Sequence, residues 1–135
     1  MENVRMLLQQ KGGEVWATNP GDTVLDALQL MAEKNVGALV VMHGAELVGI
    51  FSERDYARKG ELAGKAGSQT RVQELMVSPV FCVEPQTTIE ECMAVMTGKH
   101  IRHLPVLEAG LCVGVISIGD VVKAIISRQE FLIEQ

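Results

Sequence analysis

Two stretches hold residues whose types and spacing fit chemistry: Gly49-Ile50-Phe51-Ser52-Glu53-Arg54-Asp55 and Gly114-Val115-Ile116-Ser117-Ile118-Gly119-Asp120. Each sets a Ser and an Asp three residues apart, after an apolar run and before a helical pattern. At a strand-to-helix junction the helix N-terminus offers free N–H groups and a partial positive charge, a setting for phosphate. A carboxylate there can accept two hydrogen bonds from a vicinal diol such as a ribose 2′/3′ pair. Gly49 and Gly114, lacking side chains, would let a ligand approach the strand end closely. The same spacing is also a capping box, Ser at the N-cap and an acid at N3, which needs no ligand at all. The two uses are compatible.

A third stretch, Lys99-His100-Ile101-Arg102-His103-Leu104-Pro105-Val106, crowds basic groups ahead of an apolar run. Arg102 presents a planar fork suited to phosphate oxygens, and His103 is a weaker, pH-dependent donor. A solvated basic loop would look the same. The matching earlier segment, Asn35-Val36-Gly37-Ala38-Leu39-Val40, carries no charge. Two sites built from these parts would be unequal, one suited to a phosphate and one to a base held by apolar and backbone contacts. Arg54, Arg58 and Lys59 beside the Asp55 motif either add charge to it or form a solvated helix face.

The elements that must position these residues come from an internal repeat. A shift of 114 − 49 = 65 residues aligns Pro20 with Pro85, Thr23 with Thr88, Met31 with Met96, Lys34 with Lys99, Ser52 with Ser117 and Asp55 with Asp120, without a gap. The chain is therefore two copies of one supersecondary unit. Each copy opens on a short helical segment, Val4–Leu8 or Val72–Met76, the offset here being 68. Short strands follow at Val15–Ala17 and Val80–Val83, each closed by a turn with Pro20 or Pro85. Helices start near Thr23 and Thr88, with apolar stripes at Val24, Ala27, Leu28, Met31 and at Ile89, Cys92, Met93, Met96. Strands are expected at Ala38–Met42 and Leu47–Phe51, and again at Leu104–Leu107 and Leu111–Ile116, with final helices from Ser52 and Ser117. The fold class is α/β (α+β): β-α-β-β-α, twice, with repeats at residues 1–60 and 72–135 and an exposed link at 61–71. A copy of this size buries little apolar surface alone, so the copies are expected to pack together and leave related clefts.

Composition narrows the function. Of 135 residues, 47% are hydrophobic and only 4% aromatic, which leaves no stacking platform for single-stranded nucleic acid. The net charge of −5 disfavours binding to a phosphate backbone. Cys82, Cys92 and Cys112 show no CxxC spacing and fit buried thiols of a reducing compartment. No segment has the pattern of a signal peptide or a membrane span, so a cytoplasmic protein without membrane contact is expected. His43, His100 and His103 form no metal-ligand set, and no catalytic triad spacing appears, which points away from an enzyme.

The repeated unit, the Ile101-Arg102-His103-Leu104-Pro105-Val106 segment and both Gly-x-x-Ser-x-x-Asp motifs resemble a tandem pair of cystathionine β-synthase (CBS) domains, a Bateman module. GIFSERDYARK and GVISIGDVVKAII are similar to runs in stand-alone bacterial CBS pairs described as candidate signal-transduction proteins. The resemblance implies two repeats related by pseudo-two-fold symmetry and packed sheet to sheet. It implies a non-catalytic regulatory module, needing no cofactor, that binds AMP, ADP, ATP, NAD or S-adenosylmethionine in the clefts. One cleft would combine Ser52, Arg54 and Asp55 with Cys82, Val83, Ile101, Arg102, His103 and Pro105. The other would combine Ser117 and Asp120 with Ala17, Thr18, Val36, Gly37 and Ala38. A homodimer and an unidentified downstream protein are the implied partners. The alternative is a structural or protein-interaction module whose Ser–Asp pairs are caps only.

Overall fold

The computed structural model describes residues 2–134, with backbone only at 130 and 131. In chain order its elements are α1 (Val4–Lys11), β1 (Ala17–Thr18), α2 (Val24–Lys34), β2 (Ala38–His43) and β3 (Glu46–Ser52). There follow α3 (Glu53–Asp55), a π-helical stretch (Tyr56–Glu61), α4 (Val72–Leu75), α5 (Ile89–Lys99), β4 (His103–Glu108), β5 (Leu111–Ser117) and α6 (Ile118–Glu134). The expected helices and hairpins are present.

These elements gather into two compact units: a continuous one, Val15–Val80, and a split one made of residues 1–14 and 81–135. Division by packing thus differs from division by repeat, because the segment that opens each repeat serves the other repeat's unit. In the split unit, Val4 N–H donates to Thr87 O, Arg5 N–H to Pro85 O, and Glu2 O accepts from Ile89 N–H. In the continuous unit, Val72 N–H donates to Asp22 O, Gln73 N–H to Pro20 O, and Thr70 O accepts from Val24 N–H. These are the same three bonds at equivalent positions. They satisfy donors at the starts of α1, α2, α4 and α5 that a helix cannot satisfy itself. The apolar anchors match as well: Val4 and Leu7 are buried in the split unit, Val72 and Leu75 in the continuous one. The link at 61–71 is mostly exposed, yet Thr70 is buried and Gly67 O accepts from Leu25 N–H, so it is tied to the start of α2.

Each unit packs its long helix on a hairpin. In the continuous unit Val24, Ala27 and Met31 of α2 meet Leu39, Val41 and Phe51. In the split unit Ile89, Cys92 and Met96 of α5 meet Leu104, Val106, Ile116 and Val121. Both hairpins are antiparallel with one register shift each, after Val41 and after Val106. Thr23 Oγ1 and Thr88 Oγ1 cap α2 and α5, and the helices end at the left-handed residues Asn35 and His100, with φ of 54° and 55°.

The expected strand at Val80–Val83 does not form, and Pro105 accounts for it. In the continuous unit β1 lies parallel to β2, and Val40 N–H donates to Trp16 O. The position equivalent to Val40 is Pro105, which has no N–H to offer Phe81. What survives is a single bridge between Val83 and Val106, with Val83 N–H donating to Pro105 O and Leu107 N–H to Val83 O.

Candidate ligand-binding site

Each hairpin's return strand delivers its Ser directly to a helix start. Ser52 ends β3 and caps α3: its Oγ accepts Asp55 N–H at 3.1 Å, while Asp55 Oδ2 accepts Ser52 N–H and Oγ–H, each at 2.9 Å. Ser117 ends β5 and stands before α6: its Oγ accepts Asp120 N–H at 3.2 Å, and Asp120 Oδ2 accepts Ser117 N–H at 2.8 Å. Both motifs are therefore capping boxes. Each uses one carboxylate oxygen, Oδ2, and turns Asp into an acceptor fixed at a helix N-terminus.

The other carboxylate oxygen differs between motifs. Asp55 Oδ1 lies 3.4 Å from Lys59 Nζ, one turn along the helix. At Asp120 the cation lies on the capping oxygen itself: Oδ2 takes Lys11 Nζ at 2.6 Å in addition to the cap. Burial alone would push the Asp120 carboxyl up. The bond from Lys11, the Ser117 N–H and the Lys11 charge outweigh it and hold the group below the usual carboxylate range.

The glycines do not open space for a ligand as expected. A Cβ on Gly49 would sit 2.6 Å from Met76 Sδ, and one on Gly114 would sit 2.7 Å from Leu8 Cδ2. Leu8 and Met76 are equivalent residues of the two opening segments (8 + 68 = 76). The glycine is the slot that receives them.

The remaining candidates fall beside one motif or the other. In the continuous unit Ala38 pairs with Ser52, and Glu53 N–H donates to Gly37 O, so Gly37, Ala38, Ser52, Arg54 and Asp55 share one sheet end. Val36 is half-buried against the core. Ala17 is exposed, whereas Thr18 is buried with its hydroxyl on Asp22 Oδ2 at 3.0 Å. In the split unit His103 pairs with Ser117, and Ile118 N–H donates to Arg102 O, which sets Arg102 and His103 beside Asp120. The clefts the resemblance implies each draw on both units, joining Asp55 to Arg102 and Asp120 to Gly37. Ile101 packs on the core, Val83 and Pro105 are buried in the sheet, and Cys82 is half-buried with its thiol pushed up by burial and by Cys112. The basic stretch is dispersed: Lys99 Nζ lies 5.5 Å from the Phe81 ring centre, His100 ends α5, and Arg102 is exposed. Among the described residues Arg102 makes no ion pair. Sequence reasoning missed Lys11, whose only signal was a cation in the last turn of α1.

Residues 14–61 and 72–127 each match the family model of the CBS domain. The chain belongs to the CBS-domain family. The mitochondrial CBS domain-containing protein CBSX3 of Arabidopsis thaliana is 41% identical over 85% of this chain, which spans 58% of that protein's length. A solved Burkholderia ambifaria protein with CBS domains, described as a candidate signal-transduction protein, is 45% identical at a TM-score of 0.90. That match covers 94% of this chain and 96% of that one. A CBS-CP12 protein of bloom-forming cyanobacteria, described as hexameric, is 28% identical with a TM-score of 0.81, over 90% of this chain and 70% of that one. In this CBS pair the two Ser–Asp junctions are thus one structural feature, made once per CBS domain. Among the described residues no helix is long and apolar enough to cross a membrane.

Proposed function

We propose that this CBS-domain pair is a regulatory module that binds an adenosine-containing ligand, AMP, ADP, ATP or NAD, at its Ser–Asp motifs and acts by binding rather than catalysis. The observation that carries the reading is that each capping box uses a single carboxylate oxygen, so Asp55 and Asp120 keep acceptor capacity for a ribose diol at a helix N-terminus. Arg102, exposed and without an ion pair among the described residues, supplies a fork for phosphate. Ser52, Arg54 and Asp55 with Cys82, Val83, Ile101, Arg102, His103 and Pro105 form the first proposed set. Ser117 and Asp120 with Ala17, Thr18, Val36, Gly37 and Ala38 form the second. A ligand transmits a signal only by binding one state of the module better than another. The proposed output is a change in the pairing of a cytoplasmic homodimer, read by a downstream protein; the exposed apolar residues Val122 and Ile126 of α6 support self-association.

A thermal-shift panel with AMP, ADP, ATP, NAD and S-adenosylmethionine tests this. A ligand at 100 times its dissociation constant stabilises the fold by about 2.7 kcal/mol. Absence of any shift at millimolar concentrations overturns the nucleotide reading and leaves a structural or interaction module, a reading favoured by the completeness of both caps. Among variants, Asp55→Ala is expected to weaken nucleotide binding more than Asp120→Ala, by about tenfold, or ~1.4 kcal/mol. Equal losses in calorimetry, or a larger loss at Asp120, count against the assignment.

A further inference from the structure

Lys11 is the last residue of α1, and its side chain closes the second motif. Its Nζ donates to Val115 O at 2.9 Å as well as to Asp120 Oδ2 at 2.6 Å. Oδ2 also accepts Ser117 N–H, so a diol that needs both carboxylate oxygens finds one already filled. At the first motif the cation is held at longer range: Lys59 Nζ lies 3.4 Å from Asp55 Oδ1 and donates to Leu75 O at 3.4 Å. The residue equivalent to Lys11 is Pro79 (11 + 68 = 79), and Ile50 O, the counterpart of Val115 O, accepts Val77 N–H at 2.8 Å. On Asp55 Oδ2 the second donor is the Ser52 hydroxyl, which can rotate away without separating charges.

We propose that Lys11 sets the affinity of the Asp120 motif: it is a resident cation that the vicinal diol of a ribose must displace, so the Asp120 motif is the weaker of the two. The inference rests on the nucleotide reading above and names what makes its two sites unequal. The displaced ammonium loses a carboxylate partner and a carbonyl partner together, and the ligand's neutral hydroxyls do not replace the charge it leaves.

The test is AMP binding by calorimetry in the Asp55→Ala chain, with and without Lys11→Met, so that the Asp120 motif is the one measured. Loss of Lys11 tightens AMP by about fivefold, the worth of a partly exposed ion pair. Lys11→Gln does the same, which separates the effect from the packing of one side chain. In the chain with Asp55 intact, Lys11→Met raises the number of AMP sites filled at a fixed concentration. Unchanged affinity overturns the proposal, since Lys11 then obstructs nothing. Weaker binding overturns it too, since Lys11 then touches the ligand. AMP binding by the unaltered chain with none in the Asp55→Ala chain, whatever stands at position 11, sinks the proposal alone. No AMP binding by the unaltered chain or by its Lys11→Met form sinks the nucleotide reading and this proposal together.

Discussion

The two units put the same cap on the same strand-to-helix junction but cover the strand before it by different means. In the continuous unit α4 stops at Leu75, the chain turns, and the Val77 backbone bridges Ile50 in both directions, with N···O distances of 3.1 and 2.8 Å. In the split unit α1 runs on from Leu7, the counterpart of Leu75, to Lys11. Among the described residues no backbone bridge forms at Val115 on the side away from Pro105, and an ammonium takes its carbonyl instead. A backbone bridge has nowhere else to go. An ammonium can change partners, so helix length decides whether the edge beside the motif is shut permanently or by a replaceable group.

The largest expected effects probe the matched part of the two covers. Leu75 is 1% exposed and Leu7 is 7% exposed, so Leu75→Ala should cost about 3 kcal/mol and Leu7→Ala about 2 kcal/mol in urea unfolding. The reverse order would mean the opening segments are not equivalent in what they bury. Next come the glycine slots. Gly49→Ala presses on the Val77 carbonyl, 3.1 Å away, as well as on Met76, while Gly114→Ala meets only the movable end of Leu8. Losses of about 2 and about 1 kcal/mol are expected, and equal losses would break the contrast between a fixed and a yielding cover.

The smallest effect belongs to the charge. Asp120 has its folded-state carboxyl held below the ordinary value, so its contribution is present above the unfolded value of ~3.9 and lost as pH falls through the lower folded value. Because both partners are partly exposed, Lys11→Met should cost only about 0.5 kcal/mol near neutral pH. The gap between the two proteins should close in acid. A gap that persists in acid would show that Lys11 acts through packing alone.

Much of this was legible in the residues. The 65-residue shift located α2 and α5, both hairpins and both Ser–Asp junctions, because apolar period and turn chemistry are local properties. The expected strand at Val80–Val83 was a misreading, although Pro105 in the facing strand carries the reason in the sequence: it has no N–H to offer. The exchange of opening segments was not. Repetition says that Leu8 and Met76 are alike, but not which glycine either one reaches. Lys11 was hidden for the same reason: its partner lies 120 − 11 = 109 residues away, beyond any pattern read along the chain.

That exchange reaches past this molecule's own stability. Cutting the chain where its sequence period begins anew would yield two pieces, each carrying a helical cover shaped for the other and lacking its own. A single free-standing copy would face the same shortage and could meet it only by trading covers with a second chain. Tandem duplication turns that bimolecular trade into an intramolecular one, replacing a dependence on protein concentration with a tether.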